Sequence, residues 1–280
     1  MALLLLAMVQ TKWFKNYAAN KATSYLSKEL GVDIHIGEIE LSYFDALKAT
    51  DIFIGDQKSD TLIYVSKLYT NYDIFSFTSD RIRLNNVTIA GGTIKIGIAK
   101  EETQLNIQFL TEYFKPTPTS NPSSGSPTVT FDKVKITDTR FHYYNNNKAP
   151  PADRLFDENN MIYSHLNGDL HNFTIIQDSL SFVIDNMSGQ EKSGLIVDEL
   201  QAKTVISSTT MEFADLYVQT PQSTIRDFLR FDYTDYSDFS DFIKHVNIEA
   251  NLAKSEVHMN DIALFSNSLL AYKELITASG

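Results

Sequence analysis

Residues 82–96, IRLNNVTIAGGTIKI, and residues 129–143, VTFDKVKITDTRFHY, are two long segments in which apolar and polar residues alternate. The two segments share one pattern of apolar positions, and each position of the first maps onto the second when 47 is added to its number. Apolar residues alternate with polar ones, which is the period of a strand with one buried face. The phase slips at residues 85–86 and 132–133, as it does at a β-bulge. The pattern predicts two equivalent bulged strands.

A four-position core of this pattern recurs along the chain, with apolar residues spaced by two, three and two. One match carries little weight, because apolar residues make up 43% of the chain. The paired segments carry more, since their polar and turn positions also agree. The further copies are Ile34/Ile36/Ile39/Leu41, Gly168/Leu170/Phe173/Ile175, Met211/Phe213/Leu216/Val218 and Val257/Met259/Ile262/Leu264. The recurrence predicts a mostly β protein, an elongated antiparallel β-repeat whose units stack on their neighbours.

Composition restricts the possible functions. A chain of 280 residues can form one large all-β unit or two domains. The formal net charge of -11 and the lack of a basic cluster argue against nucleic-acid binding. The sequence contains no cysteine, which excludes disulfides and thiolate metal sites and suits a bacterial envelope protein.

The N-terminus carries a targeting signal. Residues 2–9 form an uncharged, leucine-rich run, which is shorter than the roughly 20 residues that span a bilayer. Basic and aromatic residues follow it, as they do at a membrane interface. These membrane-interface candidates are Lys12, Trp13, Lys15 and Tyr17. Three interpretations stay open: the end of a transmembrane helix, a short signal sequence, and the first turns of a buried helix.

The rest of the chain divides by composition. Residues 11–30 are predicted to form a helix, ended by Gly31, with an apolar stripe that includes Tyr17, Tyr25 and Leu26. We predict four segments: a partial membrane anchor with this amphipathic helix over 1–30, the first β-groove units over 31–114, a Pro/Ser-rich loop over 115–128, and further β-groove units over 129–280.

Two local predictions concern turns and helices. The pair Gly91-Gly92 lies between apolar runs and predicts a turn rather than a phosphate-binding loop. Residues 222–230 follow Pro221 and predict a short helix that interrupts the strands.

Catalytic motifs are missing from the sequence. It holds no P-loop, no Gly-x-Ser-x-Gly elbow and no His-Glu-x-x-His motif, and we predict no catalytic residues, no cofactor and no metal. A group of aspartates leaves one alternative, a cation site in a metal-dependent hydrolase, although a solvated loop with a short helix explains the spacing better. These residues are Asp227, Asp232, Asp235, Asp238 and Asp241.

A sheet with one apolar face must cover that face. A second sheet would make a closed β-sandwich, which would serve as a structural or interaction module. The sheet can instead curl into an open, taco-like groove filled by acyl chains, since each buried methylene contributes about 0.8 kcal/mol. The lipid-groove candidates are Ile82, Leu84, Val87, Ile89, Ile94, Ile96, Val129, Phe131, Val134, Ile136, Phe141 and Tyr143.

The sequence resembles the N-terminal region of TamB-like proteins of the AsmA-like superfamily, in the version found in Bacteroidota. The segments that carry the resemblance are QTKW (10–13), YLSKELG (25–31), VDIHIGEIEL (32–41), GDQ and DTL (within 55–62), DIFS (73–76) and VQTP (218–221). After the Pro/Ser-rich loop, the similarity lies in the general character of the sequence and is less specific.

The resemblance implies a longer envelope protein with an inner-membrane helix and a taco-shaped β-groove that crosses the periplasm. It implies phospholipid as the cargo, and a role in outer-membrane biogenesis as part of a translocation and assembly module. An outer-membrane barrel is the implied partner, through a region that is not present in this sequence. The family offers no catalytic motif, so the resemblance implies a non-enzymatic role.

Overall fold

The computed structural model describes residues 12–41, 46–72, 81–113, 128–176, 179–235, 238–239, 242–253 and 255–278. Most of these residues lie in β-strands, and all the strands of the described ranges belong to one sheet. The predicted mostly β class with an N-terminal helix is therefore confirmed. The chain forms two compact units, Met1–Thr139 and Arg140–Gly280.

The first unit begins with helix α1, which covers Lys12–Leu30 and ends at Gly31 in the left-handed conformation (φ 69°). Its strands are β1 (Ile34–His35), β2 (Glu38–Leu41), β3 (Ala46–Gly55), β4 (Thr61–Tyr72), β5 (Arg81–Ile98) and the first part of β6 (Thr128–Asn145). A short helix, α2 (Gln108–Tyr113), follows β5. Strands β1 and β2 both pair with β3, which pairs with β4, and β4 pairs with β5, all antiparallel.

The second unit continues with five long or medium strands and several short elements. They are β7 (Asn160–Ile176), β8 (Ser179–Glu191), β9 (Ile196–Ile206), β10 (Thr210–Gln219), β11 (Thr224–Asp232), α3 (Phe242–His245), β12 (Asn247–Asn251), β13 (Ser255–His258), α4 (Met259–Ala263) and β14 (Leu275–Ala278). Strands β7 to β11 pair antiparallel in chain order, β12 and β13 both pair with β11, and β14 pairs with β13. In the described part of the chain, α1 contacts β1 and β2, and α4 contacts β13.

The predicted phase slip at residues 85–86 is a β-bulge. Thr70 of β4 faces Val87 of β5, whereas Tyr72 faces Leu84, so three steps on β5 oppose two steps on β4. The bulge is confirmed, and the equivalent slip at residues 132–133 stays a prediction.

A second irregularity recurs in the strands and was not predicted. In six segments with the spacing of two, three and two, the residue just before the third position has a positive φ. These residues are Asp51 (52°), Gly91 (64°), Asp138 (46°), His165 (51°), Asn172 (57°) and Asp215 (51°). Glycine, asparagine, aspartate and histidine are the residues that adopt this conformation most readily. Gly91 and Asp138 are equivalent in the repeat of 47 residues, so the repeat extends to the backbone conformation.

The predicted turn at Gly91-Gly92 is wrong. Ala90 faces Lys67 and Gly92 faces Val65, so β5 runs straight through this point in one direction. A single left-handed residue rotates the chain locally without reversing it. The apolar side chains after Gly91 therefore lie on the same face of the sheet as those before it.

Two other predictions are also wrong. Residues 222–230, predicted as a helix, mostly lie in β11, because Ile225 and Leu229 face Val218 and Phe213 of β10. The proposed repeat copy that begins at Val257 has only that residue in a strand, since helix α4 starts at Met259.

The left-handed residues generate a prediction at Asn172, which is exposed (φ 57°). We expect Asn172→Val to lower the free energy of unfolding by about 1–3 kcal/mol, because a β-branched residue is strained at positive φ. The control Asn172→Gly should change it by less than about 0.5 kcal/mol. Urea unfolding measures both. Since valine favours regular strands, an Asn172→Val variant as stable as the original protein would contradict the assigned conformation.

Candidate functional site

The predicted groove residues of β5 lie on one apolar face of the first unit. Val87 is 5% exposed, and Ile89, Ile94 and Ile96 are half-buried. Directly opposed residues of an antiparallel pair share a face. Ile94 faces Ile63 of β4, and the same row continues into β3. The side chains of Ile82 and Leu84, also predicted for the groove, lie outside the described residues.

Strands β3 and β4 supply members of this face that the sequence analysis missed. The β4 residues of this face lie opposite those of β5, and the β3 residues lie opposite those of β4. They are Leu47, Ala49, Ile52, Ile54, Ile63, Val65 and Leu68. The sequence does contain a signal for the β3 members, because Leu47, Ala49, Ile52 and Ile54 follow the same spacing of two, three and two. Asp51 occupies the left-handed position within that segment.

Strand β6 contributes the rest of the predicted set. Phe131, Val134 and Ile136 are half-buried in the first unit, and Phe141 and Tyr143 are half-buried in the second. The side chain of Val129 lies outside the described residues. Equivalent positions of the two repeat segments meet: a Cβ added to Gly92 of β5 would come within 3.0 Å of the side chain of Thr139 of β6. Burial raises the pKa of Tyr143.

The second unit carries a comparable apolar face, which the sequence analysis recognised only in part. A buried row crosses it, where Leu170 faces Ile184 and Ile184 faces Ala202. Half-buried aromatic side chains lie beside this row. The ring centroids of Phe173 and Phe182 are 5.5 Å apart and stacked, and those of Phe213 and Phe231 are 6.4 Å apart and edge-on.

One end of the second unit is polar and tightly connected. The carboxylate of Glu191, which is 1% exposed, accepts hydrogen bonds from the backbone N–H groups of Ile162 (3.1 Å) and Ser193 (2.7 Å). The segment before β7 also reaches the segment after α4. There the N–H of Phe156 donates to the carbonyl oxygen of Leu264 at 2.8 Å. These contacts fix the connections at this end, and the apolar face extends away from them.

The predicted membrane-interface residues lie in α1. The side chains of Lys12, Trp13 and Lys15 are outside the described residues, whereas Tyr17 is 54% exposed. Tyr25 and Leu26, predicted to belong to an apolar stripe, are also exposed. None of the helices in the described ranges is both long enough and apolar enough to cross a membrane. The apolar run at residues 2–9 lies outside those ranges.

The aspartate group does not form a cation site in the described part of the chain. Asp227 lies inside β11 with φ 97°. Asp232 accepts hydrogen bonds from Thr210 Oγ1 (3.1 Å) and Arg230 Nε (2.9 Å). The Thr234 backbone N–H lowers the pKa of Asp238, and Asp241 is outside the described ranges. Those ranges contain no group of three or more His, Asp or Glu arranged to hold a metal.

Comparison with known proteins adds no assignment. No protein-family model matches the sequence, and no curated protein is significantly similar to it. The candidate site is therefore defined by geometry, as the half-buried apolar face that each of the two units carries.

The polar end of the second unit predicts a pH effect. Burial, and secondly the charge of Glu191, raises the pKa of Tyr163 to about 12. Above pH ~10 the unfolded chain loses this phenol proton while the folded chain keeps it, so stability falls as pH rises towards ~12. When the effect is complete, the free energy of unfolding has fallen by about 2–3 kcal/mol.

Urea unfolding of the Tyr163→Phe variant at neutral and strongly alkaline pH measures this effect. The variant should lose less stability at alkaline pH than the original protein. The exposed Tyr17→Phe serves as the matched control. An equal alkaline loss in all three proteins would contradict the assigned environment of Tyr163.

Proposed function

We propose that this protein binds acyl chains on the apolar face of its sheet and acts as a non-enzymatic conduit or scaffold for lipids. The observation that carries the proposal is that, within each unit, a row of opposed apolar side chains shares one face while most of these side chains stay half-buried. Val134 and Ile136 of the first unit, and Phe182 and Phe213 of the second, are examples. Side chains in a sealed core would be buried from solvent.

Acyl chains suit such a face on energetic grounds. Apolar burial is non-directional and contributes about 25 cal/mol for each Å² removed from water. A ligand that covers several half-buried side chains on adjacent strands therefore gains affinity without a specific polar contact. The stacked pair Phe173 and Phe182 and the edge-on pair Phe213 and Phe231 offer a wide apolar surface for this purpose.

The resemblance to TamB-like proteins supplies the proposed cellular setting. In that setting the chain is part of an elongated, taco-like groove in the periplasm, anchored at the inner membrane through its N-terminus. Its cargo is phospholipid, and an outer-membrane assembly barrel is a partner through a region outside this sequence. Support comes from the residues that carry the resemblance, and from the antiparallel, one-faced character of the sheet.

Lipid occupancy tests the proposal. We expect protein purified from cells in mild detergent to retain phospholipid, detected by native mass spectrometry after gentle ionisation and by extraction. Ile136→Asp should lower the occupancy several-fold, because a carboxylate on the apolar face disfavours an adjacent acyl chain. The same experiment on Ile94→Asp checks β5 independently.

Thr137→Asp is the matched control, since it adds the same charge one residue further along β6, on an exposed side chain. It should leave lipid occupancy unchanged. Near-ultraviolet circular dichroism establishes that each variant is folded. Two results would favour the closed structural module instead: lipid-free original protein, or unfolding of both apolar-face variants while the Thr137→Asp variant stays folded.

A further inference from the structure

Helix α1 has the opposite charge to the rest of the protein. Its sequence contains four lysines and one glutamate, a formal charge of +3, in a chain of net charge -11. The remaining residues therefore carry -14, since -11 less +3 is -14. At physiological ionic strength, salt limits the range of each charge to about 8 Å. A basic helix can therefore attract an anionic surface locally, even though the protein as a whole is acidic.

Two lysines and two tyrosines of α1 share one exposed face with Ser24. At about 100° per residue, Tyr17, Lys21, Ser24, Tyr25 and Lys28 fall within an arc of about 100°. All five are exposed, and Tyr25 is 63% exposed. We call this set the Tyr/Lys face. Tyrosine and lysine alternate along it, with Tyr17, Lys21 and Tyr25 spaced by four residues.

The other side of the helix attaches to the sheet. Thr23 is 8% exposed, and Ser27 and Leu30 are half-buried. The hydroxyl of Ser27 accepts a hydrogen bond from the backbone N–H of Ile34 at 3.0 Å, which ties the end of α1 to β1. The Tyr/Lys face therefore points away from the residues that fix the helix, and contact on that face leaves the attachment intact.

We infer that the Tyr/Lys face lies flat on an anionic phospholipid surface, with α1 parallel to the plane of the membrane. Lysine ammonium groups bind lipid phosphates, and tyrosine rings settle at the level of the headgroups. The helix is about 28 Å long, so both tyrosines and both lysines can contact one surface together. This inference concerns headgroups and α1, and it does not depend on acyl-chain binding by the sheet.

Vesicle co-sedimentation of the full chain tests the inference. The probes are vesicles of phosphatidylcholine alone and of phosphatidylcholine mixed with phosphatidylglycerol. We expect tighter binding to the anionic vesicles and weaker binding as salt is raised. Lys21→Gln with Lys28→Gln should weaken anionic-vesicle binding roughly 30-fold, at about fivefold per lysine.

The control is Lys67→Gln with Lys133→Gln, which changes the net charge equally on two exposed lysines of the sheet. It should bind like the original protein. Equal binding of the original protein to both kinds of vesicle would overturn the inference, and so would an equal loss in the control.

Two cross-checks separate this inference from the proposed function. The Lys21→Gln/Lys28→Gln double variant should still carry co-purified phospholipid, and Ile136→Asp should still bind anionic vesicles. If the double variant loses both its co-purified phospholipid and its vesicle binding, the two surfaces are not independent and the inference is overturned.

Tryptophan fluorescence tests the orientation of the helix. Tyr25→Trp in a Trp13→Phe background places the single tryptophan on the Tyr/Lys face. Its emission should shift to the blue on anionic vesicles, because the ring leaves water for the headgroup region. The control is Tyr69→Trp in the same background, at an exposed position of β4, and its emission should not shift. An unshifted emission from the Tyr25→Trp variant would overturn the flat orientation.

Discussion

Each long strand of this sheet must keep its apolar side chains on a single face, because only that face is shielded from water. A regular strand does this by strict alternation. Here the apolar spacing is two, three and two, so alternation alone would turn half of each strand the wrong way. One residue with positive φ restores the phase, as at Gly91 in β5 and Asp138 in β6. The residue types at these points follow from this need, since a β-branched side chain is strained there.

Burial is uneven across the apolar face of the second unit. The row through Leu170, Ile184 and Ala202 is buried, whereas neighbouring side chains such as Phe182 stay half-buried. Among the described residues, the sheet contacts of the helices lie mainly elsewhere, at β1 and β2 for α1 and at β13 for α4. A face that is apolar but only partly covered has free energy to gain from a ligand.

The sequence was sufficient for the mostly β class, helix α1 and the bulge at residues 85–86, because each depends on a local pattern. It was insufficient where two local signals compete. Gly91-Gly92 suggested a turn, since glycine serves tight turns and left-handed residues equally well. The slip from Ile89 to Gly92 was the better signal. Residues 222–230 carry no helix-breaking signal, and only pairing with β10 makes them a strand. Which side of α1 faces the sheet was likewise decided by tertiary contacts, through Thr23 and Ser27.

The two surfaces proposed for lipid contact use different physical effects, and this difference gives them separate tasks. In these proposals, the apolar faces of the sheet bind hydrocarbon through burial, which salt does not screen. The Tyr/Lys face binds charged headgroups, and this attraction weakens as salt is raised. The remainder of the chain is strongly acidic and would be repelled by an anionic membrane. Attraction at α1 combined with repulsion elsewhere would leave the sheet away from the membrane surface, held by one helix. In that arrangement the apolar face stays accessible to acyl chains instead of being pressed against headgroups.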